Sequence, residues 1–123
     1  MTTLIKNGTI ITASETFETD ILIEGETISQ IGNNLQHPNT DIIDAIGKLI
    51  MPGGVDPHVH LDLPMFGTVS SDDHYTGHKA AAFGGTTTVM DFVVLEDKGF
   101  AYSVDLWMQK AEKAAIDYSF HMN

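Results

Sequence analysis

Two histidines one residue apart, His58 and His60, lie in the stretch PGGVDPHVHLDLP between a Gly-Gly pair and an apolar loop. On an extended strand, residues two apart point to the same side. Both imidazoles therefore face one way, with Asp56 and Asp62 on the same alternating set. Two imidazoles converging at the C-terminal end of a buried strand suit a divalent metal ion such as zinc, and α/β barrels carry their chemistry at that end of their strands. A catalytic zinc takes about three protein ligands plus water, so further ligands must come from elsewhere. The competing reading makes both histidines ordinary hydrogen-bonded residues at a strand end. Pro57 speaks mildly for it, because a proline removes a ladder hydrogen bond from a central strand.

Other residues could take part. Asp56 is placed to anchor the strand or to orient one of the histidines from behind. His74 and His78 stand four apart on an expected helix, a spacing able to hold a metal, but they read as a solvated helix face. His121 lies on the opposite side of its strand from Tyr118, Phe120 and Met122, and reads as a polar residue with satisfied hydrogen bonds. His37, before Pro38, reads as a surface turn residue.

The elements that must position these groups fall into two parts. Residues 1–52 read as short strands forming a small antiparallel β unit. TLIKNGTIIT places Asn7-Gly8 between β-branched runs, a hairpin signal, and DILIEGETISQIG is interrupted at Gly25. Ile42, Ile43, Leu49 and Ile50 supply one or two further short strands. From Gly53 the pattern changes. GGVDPHVHL reads as a strand, and a helix capped by Ser71 or Asp72 runs to Gly84-Gly85. TTTVMDFVV reads as a strand buried on both faces. A second helix then packs through Val104, Trp107, Met108, Ala111 and Ala115, and YSFHM begins a third strand. The order β-α-β-α-β predicts a parallel sheet. With only about 70 residues after Gly53, it reads as the opening of something larger, since a closed (β/α)8 barrel takes roughly 250.

Composition narrows the chemistry. Lys and Arg total 6, all lysine, against 17 Asp and Glu, for a formal net charge of −11. Such a chain is not expected to bind nucleic acid, which needs clustered cations, and offers no arginine clamp for a carboxylate or phosphate. The absence of cysteine removes disulfides and thiolate metal sites and fits a cytoplasmic home. No signal peptide or membrane span is read from the sequence.

MPGGVDPHVHLDLP followed by AAAFGGTTTVMDF resembles the start of a hydantoinase/dihydropyrimidinase, a family of metal-dependent amidohydrolases, and the resemblance runs over essentially the whole chain. It implies an α/β fold in which residues 53–123 are the first units of a (β/α)8 barrel and residues 1–52 are strands of a small β-sandwich domain. It implies two divalent metals, zinc, bridged by a carboxylated lysine, with His58 and His60 binding one of them. It also implies hydroxide attack on a ring amide to yield an N-carbamoyl amino acid. The bridging lysine, further histidines and a proton-handling aspartate are expected beyond Asn123, so this segment carries no catalytic residue of its own and should be inactive alone. Lys79 and Lys98 are poor candidates for the bridge, because neither lies on an expected strand.

The same resemblance makes Leu63 and Met65 candidates for the substrate pocket, with Phe66 either there or purely structural. Dihydroorotases carry an arginine two residues after the second histidine; here Asp62 stands there and would repel a carboxylate substrate. The expected substrate is thus a neutral cyclic ureide or imide, and the expected assembly a homo-oligomer, tetramer or dimer. The alternatives are an allantoinase- or dihydroorotase-type enzyme, or a non-catalytic dihydropyrimidinase-like scaffold.

Overall fold

A computed structural model describes residues 1–122 of the chain. It divides into two compact units, Met1–Pro52 and Gly53–Asn123.

The first unit is a five-stranded sheet of β1 (Thr2–Ile11), β2 (Thr16–Glu24), β3 (Thr27–Gly32), β4 (Asp41–Asp44) and β5 (Leu49–Ile50). The β2–β3 turn passes through Gly25, whose φ of +64° suits a residue without Cβ. Two expectations fail here. The sheet is mixed, because β4 and β5 both run parallel to β1. Asn7-Gly8 is not a hairpin turn but an irregularity within one ten-residue strand, where the pairing of β1 with β2 shifts between Ile5 and Gly8. The signal was real in its local chemistry: Asn7 adopts φ +62°. Tertiary bonds keep the chain going straight, however. The Asn7 backbone N–H donates to Asp20 Oδ1 and its side-chain amide to Asp44 Oδ1, each at 3.0 Å. A Cβ on Gly8 would collide with the Ile50 side chain. Leu4, Ile10, Ile21 and Leu22 are buried.

The second unit begins with β6 (Gly54–Val59), then the short hairpin β7 (Pro64–Met65) and β8 (Thr68–Val69). Helix α1 (His74–Phe83), β9 (Thr86–Val93), helix α2 (Phe100–Lys110), a 3-10 turn and β10 (Asp117–Met122) follow. The sheet order is β10-β9-β6, all parallel. Each new strand adds beyond the last without reversal, which is how a barrel winds and a doubly wound sheet does not.

Details depart from the sequence reading. Helix α1 is capped by Asp73 rather than Ser71 or Asp72: its side chain accepts from the Thr76 N–H at 2.8 Å in a capping box. Helix α2 buries Ser103 and Trp107, and Ala111 follows in the turn, while Met108 and Ala115 are exposed. The packed face is therefore rotated from the expected one, with Trp107 meeting Val93 and Leu63. Strand β9 buries Val89, Asp91 and Val93 on one face and only half-buries the other. Strand β6 is an edge strand and mostly exposed rather than buried.

Candidate metal centre

The alternation of β6, β9 and β10 sorts their side chains to two sides of the sheet. Val59 lies opposite Asp91, and Phe92 opposite His121. Residues paired in register project to the same side, so Val59 and Asp91 face the helices, while His58, His60, Phe92 and His121 share the other face. The ring contacts agree: Phe92 lies 4.4 Å from His58, 5.4 Å from His60 and 4.9 Å from His121, centroid to centroid.

His58 and His60 do converge. Their Nε2 atoms are 3.2 Å apart and their rings nearly perpendicular, at 85°. Two nitrogens bound to one zinc at about 2.0–2.1 Å with tetrahedral geometry are roughly 3.3–3.4 Å apart, so the observed separation matches a pair of ligands to one ion. Both side chains are exposed at the strand end. Pro57 and His58 fall where the β6–β9 register shifts, between Asp56 and Val59. A proline in that gap gives up no ladder bond, and irregularities of this kind re-aim side chains at functional sites.

Asp56 accepts the His58 backbone N–H at 3.1 Å, so it anchors the strand and not an imidazole ring. Asp62 leaves the alternating set. It adopts φ +51°, and its carboxylate turns to Lys113 at 3.4 Å, while its carbonyl accepts from Lys110 Nζ at 2.8 Å. Among the described residues no group of three or more His, Asp or Glu side chains is gathered as a metal site. The pocket candidates separate. Leu63 packs inward with Val93 and Trp107, Met65 is open, and Phe66 stands 98% exposed at the β7–β8 turn. Lys79 lies on α1 and Lys98 in a loop with its ammonium over Tyr102 at 4.5 Å. His37 is half-buried and 3.8 Å from Glu24.

The helix pair corrects the sequence reading. His74 and His78 are 0% exposed, not a solvated face. Four-residue spacing put both on the side of α1 that meets β9 and β10, where they pack edge-on to each other at 5.3 Å and against Tyr118 and Phe120. Burial, reinforced by the neighbouring His78, lowers the His74 pKa to about 4, and burial lowers that of His78. Neutral imidazoles inside a helix–sheet interface are poor candidates for a site open to substrate. His121, with its Nε2 3.2 Å from the Pro57 carbonyl oxygen, is a hydrogen-bonded residue beside the pair.

Sequence reasoning passed over two residues. Phe92 backs both imidazoles. Asp91 is a carboxylate 1% exposed, and burial raises its pKa. Its signal was present: a lone acid inside the apolar run TVMDFVV.

The structure defines an α/β class, parallel strands alternating with helices and an imidazole pair at the end of the first of them, preceded in sequence by a small β unit. No family model matches the chain. A D-hydantoinase from Geobacillus stearothermophilus is 51% identical over 125 residues, covering 99% of this chain and 26% of that protein. A dihydropyrimidinase from Dictyostelium discoideum is 41% identical over 124 residues, covering 98% of this chain and 25% of that protein. A D-hydantoinase crystal structure superposes with a TM-score of 0.96 at 48% identity, covering 99% of this chain and 27% of that one. The dihydropyrimidinase of Brevibacillus agri NCHU1002 superposes equally well, with a TM-score of 0.96. Over its whole length this chain is a homologue of the hydantoinase/dihydropyrimidinase family, and it spans about a quarter of the length of those relatives, their N-terminal part.

Proposed function

We propose that the protein to which this chain contributes is a metal-dependent cyclic amidohydrolase that opens dihydropyrimidine or hydantoin rings to N-carbamoyl amino acids. The observation that carries the reading is the convergence of His58 and His60 Nε2 to 3.2 Å at an open strand end, in a chain homologous to D-hydantoinases and dihydropyrimidinases. His58 and His60 would hold one divalent ion, zinc. Such an ion supplies Lewis-acid polarisation of an amide carbonyl and lowers the pKa of a bound water.

The chain's own residues do the positioning. Asp56 fixes the backbone at His58. Phe92 packs on both imidazoles, limits their rotation and presents an apolar wall where a neutral ring can lie. Asp62, already paired with Lys113, offers no cation to a substrate carboxylate, which favours neutral ureides and imides over dihydroorotate. Met65 reaches the substrate, and Leu63 supports it from the core side. A second metal, a bridging carboxylated lysine, a proton-handling aspartate and assembly as a homo-oligomer in the cytoplasm belong to the same proposal.

The test is an assay of the intact, metal-loaded protein on dihydrouracil, hydantoin, allantoin and dihydroorotate. Turnover of the first two is expected. Preference for dihydroorotate, or no hydrolysis with metal bound, would overturn the reading.

A further inference from the structure

Directly behind the histidine pair, on the helix side of the sheet, a carboxylate is buried where the strand pattern asks for an aliphatic residue. Asp91 stands between Val89 and Val93 on the inward face of β9 and is 1% exposed. Burying a carboxylate without full compensation costs several kcal/mol, and a valine there would pack without that cost. Stability alone therefore gives no reason for the residue.

Its contacts point elsewhere. Asp91 Oδ1 accepts its neighbour's backbone N–H, from Phe92, at 2.7 Å. It also accepts the backbone N–H of Leu61 at 3.4 Å. Leu61 is the residue after His60, beyond the last paired residue of β6, where no ladder bond holds the chain. From the other side the neutral, wholly buried His74 of α1 packs with Nε2 3.4 Å from Asp91 Oδ2, and no hydrogen bond forms between them. One carboxylate thus joins strand β9 to the backbone that follows the second histidine and lies against helix α1.

We propose that Asp91 is a positioning residue for the histidine pair: it fixes the backbone at Leu61, and so the aim of His60. The inference rests on the metal-site reading above and deepens it. Asn at position 91 would keep the Oδ1 acceptor that serves both backbone N–H groups, whereas Val removes it and fits the apolar run.

The experiment uses the intact, metal-loaded protein with Asp91→Val and Asp91→Asn. Ser103→Ala is the control, because Ser103 is buried and hydrogen-bonded to Glu96 and Gly99 rather than to this cluster. Chelator competition should show metal affinity lowered about 10- to 100-fold in Asp91→Val, the range seen when the outer partners of ligands are removed. Hydrogen exchange read by mass spectrometry should accelerate at the Leu61 amide in that variant. Turnover should fall through kcat with KM little changed. Asp91→Asn and Ser103→Ala should stay near wild type in metal affinity and Leu61 exchange. If Asp91→Val does not fold, Asp91→Ala is read in its place. Unchanged affinity and exchange in the variant that lacks the acceptor, with His58→Ala still stripping metal, would overturn this inference alone. Retention of full metal by His58→Ala would overturn the metal-site reading and this inference with it.

Discussion

His78 Nδ1 accepts the backbone N–H of Ala115 at 3.2 Å, with that of Ile116 at 3.5 Å, joining helix α1 to the turn that enters β10 across 37 residues of sequence. The acceptor role leaves the ring proton on Nε2. This imidazole is structural, and its replacement should show it. His78→Leu removes the acceptor and strands a buried N–H, which costs about 1–3 kcal/mol. His78→Asn can place an amide oxygen near Nδ1 and should lose less. Chemical denaturation of the intact protein checks the order; equal losses would sink the acceptor role.

Acid should destabilise the protein through the same helix face. Burial first, then His78, hold the His74 pKa at about 4, with Lys113 and Lys110 adding to the depression and Asp62 opposing it. The unfolded imidazole titrates near 6.5. Between about 6.5 and 4 the unfolded chain binds a proton that the folded form refuses, so stability falls as pH drops through that window and levels off below it. The full effect of His74 is roughly 3 kcal/mol, and His78, also lowered, adds in the same direction. Asp91, raised by burial, acts oppositely: its stabilisation is lost as pH rises through its folded pKa. Comparing denaturation curves at pH 7 and pH 4.5 for wild type and His74→Gln isolates the histidine. The variant should show the smaller pH dependence.

The hairpin after the pair carries local strain. Phe66 and Gly67 form the two-residue β7–β8 turn with φ +50° and +77°. Glycine adopts that region freely, whereas a non-glycine residue there costs about 1–2 kcal/mol, and Asn tolerates it better than Phe. Phe66 is 98% exposed and gives up almost no burial in exchange. Phe66→Asn should therefore raise stability by about 1 kcal/mol and leave metal content unchanged. A loss of stability would mean that the ring packs on something further in the intact protein.

The pair itself gives the most direct prediction. His58→Ala or His60→Ala should each lose at least one metal per subunit and nearly all turnover, while His74→Gln should retain metal. Elemental analysis of purified variants decides between the strand pair and the helix pair.

What could be read from the sequence was whatever local pattern dictates. The β/α succession after Gly53 follows from glycine breaks and apolar runs, and the placement of His58 and His60 on one side follows from period-two geometry. What could not be read depended on partners distant in sequence. Asn7-Gly8 has the chemistry of a turn, yet Asp20 and Asp44 hold it inside a continuous strand. His74 and His78 look polar enough for water, and only the packing of α1 against β10 shows which face they occupy. Asp62 shares the parity of the histidines, but a left-handed backbone at that residue turns it to Lys113. Asp91 stood out in its apolar run, but its bond to Leu61 spans 30 residues.

The 123-residue chain on its own should bind zinc weakly and turn over no substrate. It gathers two imidazoles, and no third His, Asp or Glu joins them among the described residues. A two-ligand site lacks the third protein donor that catalytic zinc sites use, and nothing among the described residues fixes a substrate amide against it. Its surface argues the same way. Strand β6 is an open edge with Val55 exposed, and the first unit leaves Ile28, Ile31, Ile42 and Leu49 in water. Exposed apolar surface and unpaired strand edges promote association with other chains. Purified alone, the segment should be marginally stable, prone to aggregate and nearly free of zinc after desalting. Mass spectrometry for metal, size-exclusion chromatography, thermal unfolding and a hydantoin assay test each point. A monomeric, cooperatively folded, zinc-loaded chain that opens hydantoin would show that the two histidines need no help from elsewhere.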